Sequence, residues 1–89
     1  MTKIPRYDAR RDSNEKEIVD ALKAVGASVE RLDVIDLLCG YRGINYLLEV
    51  KTPDGALNEK QSDWIRAWNG GIYIVRTVDE ALRAIGAIE

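Results

Sequence analysis

Apolar residues recur along the chain first at helical and then at strand spacing. Ile18, Leu22 and Val25 form one stripe, with Val19 and Ala21 beside it, and predict a helix over 13–25. Asp12 and Glu15 have capping-box spacing, with Asp in the Ser/Thr place, and Gly26 is a natural stop. SVERLD (28–33) and VIDLLCGY (34–41) then read as strands. Arg42-Gly43 reads as a turn and INYLLEVK (44–51) as a third strand, giving an antiparallel meander. The middle strand is apolar at nearly every position except Asp36, as an interior strand should be. TPDGALN is a loop, since Pro53, Asp54 and Gly55 are strong turn formers. Asn58 and Gln61 match a capping box for a second helix, with Trp64, Ile65 and Trp68 as its apolar face and Gly70-Gly71 as its end. IYIV (72–75) predicts a short buried strand. Thr77 and Glu80 form a third capping box, and Ala81, Leu82 and Ile85 give the last helix a core stripe before Gly86.

The predicted order is αβββαβα. Three meander strands followed by a helical crossover into a fourth give an α/β fold, a mixed four-stranded sheet flanked by helices, with a right-handed crossover. There is no internal repeat or linker, so 12–89 is expected to be one domain behind an N-terminal arm, 1–11.

Composition removes several kinds of chemistry. At 89 residues, with 46% hydrophobic and 31% charged positions, the chain has an ordinary globular mix. A domain of this size buries only about 60–65% of its unfolded surface, so an oligomer would help it. No apolar run approaches the ~20 residues of a membrane span. MTKIPRYDARR lacks an apolar signal core, which sets the expectation of a cytoplasmic protein. The one cysteine, Cys39, excludes an internal disulfide and a cysteine-based zinc cluster. The chain has no histidine, which excludes Ser-His-Asp and Cys-His catalysis and histidine-ligated metals. Hydrolytic chemistry must then use carboxylates, Lys or Tyr with a hard metal such as Mg²⁺.

The net charge of −2 argues against a general nucleic-acid coat. The charge is uneven, however. Lys3, Arg6, Arg10 and Arg11 face only Asp8 in the first eleven residues. Two roles fit such an arm: a solubilising tail, or a contact to phosphates or a partner subunit.

The unusual feature is a set of charges at strand ends. Glu49 and Lys51 are two apart on one strand, so they leave the same face about 7 Å apart, with Leu47 before them. The row turns from apolar to charged, as where a strand leaves a core and enters a cleft. Asp36 sits within an apolar strand, where an isolated carboxylate is costly. A metal ion held by Asp36 and Glu49 would offset that cost, and Lys51 would orient water or stabilise developing negative charge. Glu-x-Lys alone is a common surface triplet, and Asp36 could end a strand or cap a turn. An Asp, a hairpin turn and then Glu-Val-Lys ending the next strand is a more specific combination.

Asp36 followed by Glu49-Val50-Lys51 within αβββαβ resembles the PD-(D/E)xK nuclease superfamily. It is most similar to the stand-alone VRR-NUC domains of phage and bacteria, and more loosely to Holliday-junction resolvases. The similar stretches are NEKEIVDALKAVGA, DLLCGYRGINYLLEVK, LNEKQSDWIRAW and YIVRTVDEALRAIG, nearly the whole chain after residue 12. The resemblance implies a restriction-endonuclease-like fold. It implies Asp36 and Glu49 as metal-binding carboxylates, the Val50 carbonyl as a further ligand and Lys51 as the catalytic lysine. It also implies Glu17 of the first helix near the metal and Gln61 at the active site. Glu17 also fits plain helix surface, and Gln61 also fits its capping role. Trp64 and Trp68 fit a core better than a base-stacking platform. The family's leading Pro is Ile35 here, which leaves Asp33 as a fallback, although an odd spacing from Asp36 puts it on the other face.

The function so implied is a Mg²⁺- or Mn²⁺-dependent endonuclease that hydrolyses phosphodiesters in branched DNA, such as a Holliday junction, and acts as a homodimer. Arg6, Arg10, Arg11, Arg42, Lys60 and Arg66 are the candidate phosphate contacts. The alternative is a non-catalytic nucleic-acid-binding or assembly module with a nuclease-like fold. A third is a small α/β interaction protein with Glu49 and Lys51 as a surface pair.

Overall fold

The computed structural model describes residues 12–89. The basic arm, with Lys3, Arg6, Arg10 and Arg11, lies outside the described residues. The element order is α1 (Glu15–Ala24), β1 (Ser28–Arg31), β2 (Leu37–Tyr41), β3 (Ile44–Val50), α2 (Glu59–Ala67), β4 (Tyr73–Val75) and α3 (Val78–Ala84). The strands form one sheet in the order β1-β2-β3-β4. The first three pair antiparallel and β4 joins β3 in parallel. This is the αβββαβα order and the mixed four-stranded sheet expected from the sequence.

Two glycines set the chain's reversals. Arg42 and Gly43 both have positive φ, 52° and 83°, so the β2–β3 hairpin closes through a two-residue turn of primed type. Gly26, at φ 95°, ends α1. Its N–H donates to Lys23 O, and Ala27 N–H donates to Leu22 O, which satisfies carbonyls the helix end would leave bare.

One face of the sheet carries the core. Ile18, Val19 and Leu22 of α1 cluster with Leu37 and Cys39 of β2, Leu48 and Val50 of β3, Val75 of β4, and Ala81 with Ile85 from α3. On β3 the core positions are the even ones, so Leu47, Glu49 and Lys51 leave the opposite side. Leu37 and Leu48 are fully buried and directly opposite each other. Truncating either to Ala is expected to cost about 2–5 kcal/mol.

Several expectations are corrected. Strand β1 stops at Arg31 and β2 starts at Leu37, so Asp36 lies in the bend before the strand rather than inside it. Strand β4 is an edge, and of its three residues Val75 alone is buried. α2 buries no residue, and Trp68 is 45% exposed. Trp64 and Trp68 instead stack on each other, with centroids 4.9 Å apart and planes 13° apart, so they are not core. The Asp12–Glu15 box does not form. The Asp12 carboxylate accepts from Thr52 N–H, and Glu15 pairs with Arg31. The Asn58–Gln61 box forms in full. At Thr77 half of the box forms, because the Glu80 carboxylate accepts from Arg76 N–H instead.

Candidate active site

The β2–β3 register brings the two expected carboxylates together. Leu37 pairs with Leu48, so one step further would set Asp36 opposite Glu49. The regular ladder has ended there, and side chains continue it. Val50 N–H donates to Asp36 Oδ2 over 2.8 Å, and Asp36 N–H donates to Glu49 Oε1 over 3.3 Å. On the other side, Leu32 N–H donates to the Asp36 carbonyl, extending the β1–β2 pairing. Asp36 is thus held by its backbone and its carboxylate together. Ile35 before it is buried, a packed anchor at the position where the family pattern has Pro. Asp33 is exposed, so Asp36 is the residue that meets Glu49.

Glu49 is fully buried. Its Oε2 accepts from Gln61 Nε2 at 2.6 Å, which brings α2 over the face opposite the core. Lys51 Nζ lies 3.8 Å from the same oxygen, too long for a hydrogen bond but a close Coulombic contact. Gln61 keeps its capping role as well, since its Oε1 accepts from Asn58 N–H. One side chain therefore both fixes the start of α2 and touches Glu49. Lys51 lies just past the strand, its N–H donating to Val75 O, with its side chain 13% exposed.

The electrostatics follow from burial and like charge. Burial raises the Glu49 carboxyl most, and the neighbouring Asp36 carboxylate raises it further, against the opposing pull of the Lys51 ammonium. The result is a carboxyl that titrates at about 7. Two acidic groups crowded until one resists ionisation form a donor set suited to a hard cation. Mg²⁺ commonly takes one or two carboxylates and keeps several waters, so a pair is sufficient in kind. Among the described residues, no group of three or more His, Cys, Asp or Glu side chains is arranged to hold a metal ion.

Glu17 does not supply a third carboxylate. It is exposed on α1, about 150° from the centre of the buried stripe at roughly 100° per residue. α1 also packs on the core side of the sheet, whereas Glu49 leaves the other side. The buried acid of that helix is Glu15, which accepts from Arg31 Nε at 2.8 Å. Sequence reasoning missed it, although Glu15, Ile18 and Leu22 share one face at i, i+3 and i+7. Arg42 is also displaced from the group. It sits at the opposite end of β3, about 20 Å away at strand rise, with its guanidinium over the Tyr41 ring. Arg66 pairs with Asp63, and Lys60 is exposed beside Gln61.

No protein-family model, curated protein or solved structure matches the chain. Among the described residues, no helix is long and apolar enough to cross a membrane.

Proposed function

We propose that the protein is a divalent-metal-dependent DNA endonuclease of the PD-(D/E)xK type, with a restriction-endonuclease-like domain similar to stand-alone VRR-NUC domains. The observation that carries this is the group Asp36, Glu49, Lys51 and Gln61, drawn from β2's entry, β3's end and α2 to one place. A surface Glu/Lys pair would be solvated, whereas Glu49 is fully buried between two hydrogen-bond donors and a cation.

Asp36 and Glu49 would hold Mg²⁺ or Mn²⁺, with the Val50 carbonyl as a further oxygen donor. Such an ion would supply Lewis-acid stabilisation of the phosphate oxygens and a more acidic water. The remaining roles belong to the chain. Lys51 places a cation where negative charge develops on the phosphate. Gln61 fixes the rotamer of Glu49 through Oε2. Asp36 sets the height of Glu49 through its own N–H. Glu17 has no part in this assignment.

The proposed substrate is branched DNA, cut by a homodimer whose two-fold axis relates paired nicks. Labelled four-way junction, flap, duplex and single-stranded DNA incubated with Mg²⁺ or Mn²⁺ test this, alongside light scattering. Paired nicks in the junction by a dimer support it. Cleavage of duplex ends alone by a monomer removes the symmetric-resolvase part and leaves the nuclease. No cleavage of any substrate by the folded protein favours a non-catalytic nucleic-acid-binding module.

A further inference from the structure

The chain leaving β3 is tied down by side chains from two other elements, at backbone groups the sheet no longer pairs. Arg76, just after β4, donates from Nη1 to Thr52 O at 2.9 Å and to Gly55 O at 2.5 Å. Asn14, at the start of α1, donates from Nδ2 to Lys51 O at 3.1 Å and to Arg76 O at 2.9 Å. Asp12 accepts from Thr52 N–H at 2.8 Å. The backbone of Arg76 is itself held, because its N–H donates to Glu80. Six hydrogen bonds thus converge on Lys51, Thr52, Gly55 and Arg76.

We propose that Arg76 and Asn14 are positioning residues for the active site, a clamp that sets where Lys51 and Gln61 meet Glu49. This rests on the nuclease assignment for its catalytic meaning, though not for its geometry. α2 buries no residue, so core packing does not place Gln61. Its position depends on the segment 51–58 that leads into the helix, and the clamp fixes the first half of that segment. Asn14 adds a second sign. Its Oδ1 is buried without a hydrogen-bond partner among the described residues, while Nδ2 bridges two carbonyls. A side chain that keeps this orientation and leaves an acceptor unsatisfied is held for the bridge it makes. Asn14 also forgoes the capping bond expected of its place at the head of α1.

The test uses the full ¹⁵N-labelled chain as wild type, Arg76→Met, Arg76→Lys and Asn14→Asp. Met keeps the stem and removes the donors. Lys keeps the charge without the fork. Asp replaces the bridging donor with an acceptor facing two carbonyls. The Gln61 side-chain amide signals report the bond to Glu49, and steady-state cleavage reports kcat and KM. Arg76→Met and Asn14→Asp are expected to move the Gln61 signals towards those of a solvated glutamine. They are expected to lower kcat by about tenfold or more with KM for DNA little changed, as small misplacements do. Arg76→Lys is expected to recover part of both effects. Variants that melt earlier yet keep the Gln61 signals and kcat would overturn the proposal. If Arg76→Met does not fold, the other two variants decide. If the wild type cuts no DNA, the nuclease assignment fails, and unmoved Gln61 signals would overturn the clamp separately.

Discussion

The main-chain N–H of Asp36 donates to Glu49 Oε1 over 3.3 Å, in the place of the next β2–β3 ladder pair. The Asp36 carboxylate in turn receives Val50 N–H. Each acidic side chain therefore stands in for a missing backbone acceptor. The two carboxyl groups are coupled to the same stretch of main chain, and a change at one is felt at the other.

Glu49 makes the metal-free fold sensitive to pH. Its carboxyl titrates at about 7 in the fold, raised by burial and by Asp36, against 4.5 unperturbed. A group whose pKa is raised on folding favours the fold fully below the unfolded pKa. That contribution, about 3 kcal/mol, is lost as pH rises from 4.5 through 7. Urea melts in EDTA at pH 5 and pH 8 check this. Wild type should lose stability between them, and Glu49→Gln should lose about 2 kcal/mol less. Equal losses would mean that Glu49 is not the titrating group.

A divalent ion should reverse that penalty. Binding at Asp36 and Glu49 favours the ionised carboxylates, so it should release protons near pH 7 and raise Tm. At a hundredfold excess over Kd the gain is about 3 kcal/mol. Calorimetry in two buffers of different ionisation enthalpy measures the proton release. Asp36→Asn should abolish both signals, whereas Glu17→Gln should leave them unchanged, since Glu17 is exposed on α1.

Gln61 has two bonds to lose. Gln61→Ala removes the 2.6 Å donor from the buried Glu49 oxygen and the acceptor for Asn58 N–H. The expected cost is about 1–3 kcal/mol in denaturant melts. Lys60→Ala, one residue earlier and exposed, should change stability by less than about 0.5 kcal/mol. Similar losses for both would show that the Gln61–Glu49 bond contributes little.

Glu15 and Arg31 form a second, structural use of a carboxylate. Glu15 is buried and Arg31 is half-exposed. Arg31→Met should cost about 2–3 kcal/mol by weakening the neutralisation of a buried charge, and adding Glu15→Gln should recover most of it. The double-mutant cycle measures the coupling. Additive losses would indicate that the pair is independent.

The arrangement of the candidate site was legible in the sequence where it lay in local spacing, and hidden where it depended on distant contacts. Glu49 and Lys51 share a face by strand alternation, and Asn58 with Gln61 forms the box that its spacing announces. Glu17 matches the family pattern by position, but the buried stripe through Ile18 and Leu22 passes through Glu15. The Trp pair fits a core by its spacing, because large apolar side chains usually find one. Here α2 lies across the sheet from the main cluster, and the rings cover each other instead. The clamp left no local trace. Asn14 reaches Lys51 across 37 positions and Arg76 across 62, and no periodicity encodes a side chain bonding to a backbone so far along the chain.

Asp36, Glu49, Lys51 and Gln61 are proposed to form a metal-dependent phosphodiesterase centre. The most direct measurement is cleavage of labelled four-way-junction and duplex DNA in Mg²⁺, Mn²⁺ or EDTA, by wild type and by Lys51→Ala of matched circular dichroism. Wild type is expected to cleave with either metal and not in EDTA, and Lys51→Ala is expected to lose at least about a hundredfold, the scale for removing one transition-state charge contact. Cleavage that persists in EDTA, or that Lys51→Ala retains in full, would rule out a metal-dependent centre that uses Lys51.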